Sequence, residues 1–397
     1  DSTHEPSNNA KDDHNTPFGT AAGFIHEGSN SGNVTNNTLT FNGRPGAYNK
    51  ALYGGITFGT GNVTGNKVFV NPAASTLTSS VEGGYGGVAE GGGDVEGNRV
   101  EFNGDHINGD LIGGMTRTTG TGIVKQNWAV LKGGAINNNS IYGGMAVNGA
   151  NGDVVGNQAI IEDGNVTGTG AVYGGYTDGS GKVTGNEITI KGGIVETVYG
   201  GYTDVTGGKA TDNTVSLSDV TITGSVTGGY GAVTNDNPVS LRNAKVTGMV
   251  TGGTAHGTGN TLAVSYGTRT TEIGDFDGIQ KIRFDTESAP TRGAHPLLRL
   301  TAVGGDKNIA GMDLDFHRDG AAKKFAPGDK ITLMENMSGR VTGSDHVTLQ
   351  GTDGISRSYT FEVVSEGNAL VGMVAQTRMT EQSKSPVETR TGASAFL

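Results

Sequence analysis

The sequence predicts an all-β fold, a right-handed parallel β-helix of about nine rungs finished by a C-terminal β cap. Three regularities predict it. A Gly-Gly pair returns with first residues Gly54, Gly83, Gly113, Gly143, Gly174, Gly200, Gly228 and Gly252, after a degenerate copy at Ala22 and Gly23. An Asn, usually inside Val-x-Gly-Asn, returns between the pairs at Asn37, Asn66, Asn98, Asn127, Asn157, Asn186, Asn213, Asn237 and Asn260. The second and fourth residues after each Asn are apolar every time, from Leu39 and Phe41 to Leu262 and Val264. Self-similarity at a near-fixed period marks a stacked repeat. The steps between Asn residues (29, 32, 29, 30, 29, 27, 24 and 23) fit loops of changing length on a constant core.

The segment after each Asn is the clearest strand. Apolar residues at every second position, with Thr, Glu, Lys, Ser or Arg between them, give one buried face and one solvated face. Alone, such a strand cannot bury that face; stacked in parallel with its copies it builds a continuous apolar column. A second strand ends at each Gly-Gly, with Leu52, Val81, Leu111, Ile141, Val172, Val198, Val226 and Val250 directed inward. A third contributes Ile107, Ile194, Ile222 and Val246. Parallel crossovers are almost always right-handed, which sets the expected hand. Nine rungs at the parallel spacing of about 4.8 Å would span roughly 43 Å.

The two landmark residues are expected at corners. Asn tolerates left-handed backbone angles, and its amide can bond the Asn above and below. Gly-Gly is expected where the backbone needs angles that a Cβ blocks. Pro238 directly follows Asn237 and removes a ladder donor, so that rung is expected to be irregular.

Outside the repeat the chain changes character. Residues 1–15 are polar and aperiodic, a loose lead-in to the repeat at 16–265. Residues 266–375 lack the landmarks but hold strand candidates at 274–284, 297–301, 328–334, 347–349 and 359–364. These are expected to form hairpin-like strands that cover the open end of the solenoid. Residues 376–397 are polar again and read as a linker.

Composition agrees with a turn-rich β-fold and excludes several others. Gly supplies 71 of 397 residues, more than twice the usual share of about 7%. Collagen is excluded because Gly does not fall at every third position and Pro numbers only 9. Cys is absent, so there are no disulfides and no thiolate metal sites. A net charge of −11 disfavours nucleic acid as a partner. No apolar run approaches the roughly 18 residues of a membrane helix, and no signal peptide is visible from Asp1 onward, as in a processed chain.

With these motifs in place a family resemblance becomes specific. The stretch VYGGYTDGSGKVTGN at 172–186 resembles the passenger domains of bacterial autotransporters. The blocks GDFDGIQKIRF at 274–284 and GDKITLM at 328–334 resemble the C-terminal passenger region that seeds folding in that family. TRTGASAFL at 389–397 is similar to the junction leading into the outer-membrane translocator barrel, which this chain does not include. The resemblance spans 20–397. It implies outward secretion, display at the bacterial cell surface or release outside the cell, and membrane contact only through such a barrel. It does not imply one activity, since passengers include adhesins, proteases and esterases.

Catalytic signatures are scarce. There is no Gly-x-Ser-x-Gly. His4, His14, His26, His106, His256, His295, His317 and His346 form neither HExxH nor a compact cluster. The run GYTDGSGKV at 175–183 is similar in outline to a phosphate loop but lacks its spacing and its final Ser or Thr. The sequence GGYGG near Gly83 and the GGGD at 91–94 never complete a calcium nonapeptide. A β-helix carbohydrate enzyme would need carboxylates gathered in one groove, and Asp94, Glu96, Asp153, Asp163, Asp178 and Asp204 are the candidates. Their alternative reading is as solvated turn acids. The expectation is therefore a chain that is not an enzyme and holds no cofactor or metal.

The more telling surface is aromatic. The residue before each Gly-Gly (Tyr53, Glu82, Ile112, Tyr142, Tyr173, Tyr199, Thr227, Thr251) should face outward, alternating from its inward neighbour. The residue after it (Ile56, Tyr85, Met115, Met145, Tyr176, Tyr202, Tyr230) should turn back toward the core. Tyr53, Tyr142, Tyr173 and Tyr199 are the candidate binding column, able to meet a glycan or a protein. The alternative is a stacked column that only stabilises the sheet. The expected function is adhesion or self-association, the partner being a second copy or a host or matrix surface. A carbohydrate-active enzyme and a passive stalk are the alternatives.

Overall fold

The computed structural model describes residues 19–25, 31–42, 51–71, 81–118, 120–254, 257–286, 295–317, 325–344, 347–352 and 357–379. The lead-in at 1–15, the junction at 389–397, and His4, His14, His26, His256 and His346 lie outside them. Among the described residues every regular element is a strand, and stacked parallel coils form a β-solenoid of about nine turns.

Each coil has three long walls and one short one. The Asn wall stacks Thr38–Phe41, Lys67–Val70, the start of Arg99–Ile107 and of Trp128–Asn137, Gln158–Ile161, Glu187–Ile190, Thr214–Ser218, Pro238–Arg242 and Thr261–Ser265. Its inward column is the predicted one, with Val68, Val100, Ala129, Ala159, Ile188, Val215, Val239 and Leu262 all buried. The Gly wall stacks Gly19–Ile25, Ala51–Thr57, Gly83–Ala89, Leu111–Arg117 and Ile141–Val147, then the ends of Asn165–Thr177 and Ile194–Thr203, then Val226–Tyr230. A short sheet of seven two-residue strands, Val34–Thr35 to Ala210–Thr211, sits just before the Asn corner.

Two positions in the predicted columns shift. Tyr53 pairs with Tyr85 and Gly55 with Gly87, so the structural pair of the third coil is Gly86 and Gly87, not Gly83 and Gly84. In GGYGG two pairs compete, and the one that keeps an aromatic residue ahead of it sets the register. Val81 instead bridges Ile107 and heads the third wall. That wall continues through Ile107, Ile136, Val166, Val195, Ile222 and Val246. Ile194, expected inward, is 44% exposed, and its neighbour Val195 takes the buried place.

Pro238 does not disturb its rung. It opens a strand whose partners stay in register on both sides, Val215 with Val239 and Val239 with Leu262. In the other rungs the residue after the Asn donates to the previous Asn carbonyl, as Thr214 does to Asn186. Pro238 omits that one bond, and the rest of the strand holds the register.

Parallel stacking also runs beyond Ser265. Lys281–Asp285 and Asp313–His317 extend the Asn wall, with Ile282, Leu314, Phe284 and Phe316 continuing its two apolar columns. The strands Thr271–Asp277 and Leu298–Leu300 are parallel as well. The blocks at 274–284 and 297–301 are thus further coils, because the apolar alternation persists after the Asn landmark is lost. Antiparallel pairing, the predicted hairpin cap, begins where Lys330–Asn336 meets Ala369–Met379. Arg357–Glu366 pairs with Ala369–Met379 on one side and Val347–Thr352 on the other. Phe316, Phe325, Tyr359 and Phe361 pack at 4.3–6.2 Å between ring centres and plug the last coil.

Candidate functional site: the Asn ladder and the aromatic face

The nine ladder Asn residues come together in one line along the axis, and all but Asn37 are fully buried. Each of the first eight donates from Nδ2 to Oδ1 of the next Asn at 2.8–3.2 Å. The backbone N–H of each donates to that same oxygen at 2.9–3.1 Å. From Asn66 onward a second Nδ2 bond reaches a carbonyl of the preceding coil, such as Val124 for Asn157. Every amide is thus satisfied while out of water, the condition on which a buried polar group is tolerated. At the last rung Gln280 takes over, and its Oε1 accepts from the N–H of Asn260.

The backbone explanation expected for both landmarks is corrected. The left-handed residue is the one before each Asn: Asn36, Gly65, Gly97, Gln126, Gly156, Gly185, Asp212, Asp236 and Gly259 have φ of 54–71°. The Gly-Gly pairs show no positive φ, and those from Gly54 to Gly229 lie within a strand, not at a corner. Their requirement is space. A Cβ on Gly144 would come within 3.0 Å of the Asn157 amide, and one on Gly143 within 3.0 Å of the Gly174 carbonyl and of the Gln158 backbone. The same clash returns at Gly54 with Gly55, Gly86 with Gly87, Gly113 with Gly114, and onward to Gly228 with Gly229. Gly wall and Asn corner touch across the interior. They divide it into a large apolar column and a smaller one, the latter made of Val34, Val63, Val95, Val124, Val154, Val183 and four Ala.

This contact decides what faces outward. Two successive Gly residues both point at the ladder, so strict alternation is broken and the residues on either side of the pair emerge on the same outer face. Tyr53, Tyr142, Tyr173 and Tyr199 are half-buried on that face, while Ile112, expected outward in the same column, is buried. Tyr85, Met145, Tyr176, Tyr202 and Tyr230 lie there too, contrary to the expectation that they turn back to the core.

The result is two interlocked tyrosine stacks. Tyr142, Tyr173 and Tyr199 stack at 4.8 and 5.2 Å with rings within 9° of parallel. Tyr176, Tyr202 and Tyr230 stack at 5.2 and 4.7 Å, both at 6°. The stacks meet edge-on at 79–84° and 5.1–6.2 Å, geometry favoured by aromatic quadrupoles. Toward the N-terminal end Tyr53 and Tyr85 form a further stack at 4.8 Å. There Ile56, Val88, Ile112 and Met115 are buried within the same outer cluster. Toward the other end the face opens, and Tyr230 is 43% exposed.

Burial pushes the Tyr142 phenol up to about 12, with the Asp110 carboxylate adding to the effect. Burial likewise takes Tyr202 to about 12, with Asp204 and Tyr230 next among the causes. Tyr85 and Tyr173 are raised for the same main reason. These four phenols therefore stay uncharged at neutral pH.

Asp178 and Asp204 follow paired residues on adjacent coils and both lie near Tyr176, while Asp94, Glu96 and Asp153 make contacts between coils. Asp94 accepts the backbone N–H of Ile123 and Asp153 that of Lys182, both at 2.8 Å. Asp178 accepts two N–H groups, from Asn148 and Gly149, at 3.1 Å each. Glu96 pairs with Lys125 at 3.1 Å. These carboxylates tie one coil to the next, as Asn33 and Asn62 do in equivalent loops. Among the described residues no three His, Asp or Glu side chains are placed to hold a metal ion. His295 stacks on Tyr266 at 4.8 Å. A shallow hollow on the outer Asn wall, lined by Thr189, Lys191, Ser216, Ser218, Ser240 and Arg242, is open to solvent.

The aromatic face was only half legible, because a strand's alternation assigns one side per residue and a double Gly resets it. The Gly-ladder contact had no signal in the sequence pattern, since the step from Gly pair to Asn varies from coil to coil. No family model, curated protein or solved structure matches this chain.

Proposed function

We propose that the chain is a β-helical passenger of the autotransporter type, presented at the bacterial surface or outside the cell. Its work there is adhesion or self-association through the outer face of the Gly wall. The observation that carries the reading is the pair of interlocked tyrosine stacks between Tyr142 and Tyr230. Six aromatic side chains held on a rigid wall, in part open to solvent, are a contact surface whose ordering cost was met when the solenoid folded. The resemblance at 172–186 and 274–284, followed by an antiparallel cap, supports the passenger assignment.

An enzymatic role has less support. Asp94 and Asp153 each give one carboxylate oxygen, and Asp178 both, to backbone N–H groups of neighbouring coils, a role in tying coils together. The ladder is scaffold, since its amides have no capacity left for a ligand.

The test couples residues 1–397 to beads, or displays them on cells, and measures clumping and binding to host-cell or matrix-coated surfaces. The comparison variant carries Tyr173→Thr and Tyr202→Thr. Thr already stands at 227 and 251 beside the later Gly pairs, so the wall tolerates it. Loss of either activity by at least fivefold, with an unchanged unfolding midpoint, is the expected result. Equal activity in both proteins would overturn the reading.

A further inference from the structure

The aromatic face could in principle take a sugar, an unrelated protein or another solenoid, and its geometry separates them. We propose that it docks against the same face of a second copy of this chain, face to face about a two-fold axis. This rests on the reading of the Gly wall as the functional surface and names its partner.

Ring orientation comes first. Sugars bind aromatic residues by lying on a ring face. Here the faces of Tyr142, Tyr173 and Tyr199 cover one another at 4.8–5.2 Å, as do those of Tyr176, Tyr202 and Tyr230. What such an array offers solvent is ring edge, with phenol oxygen offered chiefly toward the open end at Tyr230, since burial shields the phenols of Tyr142 and Tyr173. A phenol both donates and accepts a hydrogen bond, so a row of them is complementary to an identical row. Period comes second. The phenols recur once per coil, at the spacing of parallel strands, and a second copy carries the same spacing over the same number of coils. Most other partners would match one or two rings and miss the rest.

Charge comes third. The chain carries a net −11, and Asp178 and Asp204 lie close enough to act on Tyr176 and Tyr202. From Tyr142 to Tyr230 neither column holds a charged residue: one reads Tyr142, Tyr173, Tyr199 and Thr227, the other Met145, Tyr176, Tyr202 and Tyr230. Two copies can meet there without burying a charge, whereas their rims repel. The association must therefore strengthen as salt rises, the reverse of what a cationic partner would show.

Size fixes its strength. Four coils at about 4.8 Å and two columns three residues apart at about 3.3 Å per residue give an open array of roughly 190 Å². That is far below the roughly 800 Å² per partner of a stable complex. One-to-one contact is weak, and many copies on facing surfaces bind by avidity. An isologous contact of this kind closes on itself and pairs two surfaces without growing into a fibre.

The test uses beads carrying residues 1–397 in two colours, mixed at low and at high sodium chloride, with capture on matrix-coated wells as a parallel arm. Wild-type beads are expected to clump with wild-type beads, at least fivefold more at high salt. They should fail to clump with beads carrying Tyr173→Thr and Tyr202→Thr. Beads carrying Tyr173→Phe and Tyr202→Phe keep the stacks but lose the hydroxyls, and should clump at an intermediate level. If wild-type beads do not clump at any salt yet bind wells in a tyrosine-dependent way, pairing of copies is refuted and a surface role stands. If clumping weakens with salt, the partner chemistry is wrong. If the Thr variant matches wild type in both arms, the surface reading fails as well.

Discussion

At the scale of single residues, each ladder Asn has its whole amide engaged and its neighbours depend on it. Asn157→Ala leaves the N–H and one Nδ2 bond of Asn127 without an acceptor and removes the Nδ2 donor to Val124. Two orphaned buried donors cost roughly 2–4 kcal/mol together. A guanidinium unfolding curve should show that shift for Asn157→Ala and almost none for Asn139→Ala, whose side chain only reaches the carbonyl of Asn137 at the surface. Equal midpoints would contradict the ladder. Gly144→Ala should cost about 1–3 kcal/mol by forcing a methyl into the Asn157 amide, although its φ suits any residue. The sequence marked both residues but not their contact, because nothing in a one-dimensional period says that two landmarks half a coil apart face each other.

Tyrosine ionisation supplies a further test at this scale. Tyr142 and Tyr202 are raised from an ordinary 10 to about 12 in the folded chain. Between those values the unfolded chain has lost the phenol proton and the folded chain still holds it, so the folded state binds more protons. Stability is then full below pH 10 and falls as pH rises through the folded values. Urea midpoints measured from pH 9 to 12 should decline across that window, and the decline should shrink in a protein with Tyr142→Phe and Tyr202→Phe. A flat profile would show that the stacked phenols are not shielded.

At the scale of elements, the Asn wall was the most legible part of the chain. Alternation such as Ile188 with Ile190 has only one strand reading, and the structure keeps it through eleven rungs, two of them past the last Asn. Pro238 misled because a missing donor looks decisive in sequence, while a parallel ladder with four other pairs in register tolerates it. Gln280 was invisible for the opposite reason. It is not an Asn, yet its longer side chain reaches the same place and ends the ladder. Gln280→Ala should therefore raise amide exchange at Asn260 and its flanking rung while leaving exchange at Asn157 unchanged. The expected local loss is about 1–2 kcal/mol for one uncovered donor. Exchange that rises uniformly along the solenoid, or not at all, would argue against a capping role.

At the scale of the whole molecule, the scaffold and the proposed contact surface lie on opposite sides of one wall. The Gly pairs press inward on the ladder, and that same contact pushes the residues beside them outward into two columns. The aromatic face is thus a by-product of packing: the double Gly that closes the interior is what presents Tyr142, Tyr173 and Tyr199 together with Tyr176, Tyr202 and Tyr230. In the proposed pairing, repetition would multiply a weak contact along the axis and between copies.

The most direct measurement exploits the absence of Cys from this chain. Thr227→Cys places one thiol at the open end of the first tyrosine column, and Ser216→Cys places one on the outer Asn wall. Each variant, at high density and high salt, is treated with a bifunctional thiol crosslinker that reaches about 15 Å, because a two-fold axis through the array leaves the two copies of residue 227 up to about three coil spacings apart, and is run on a denaturing gel. Pairing of the aromatic faces predicts a crosslinked dimer from Thr227→Cys, reduced when Tyr173→Thr is added, and little from Ser216→Cys. Equal dimer from both positions, or dimer from Ser216→Cys alone, would contradict it.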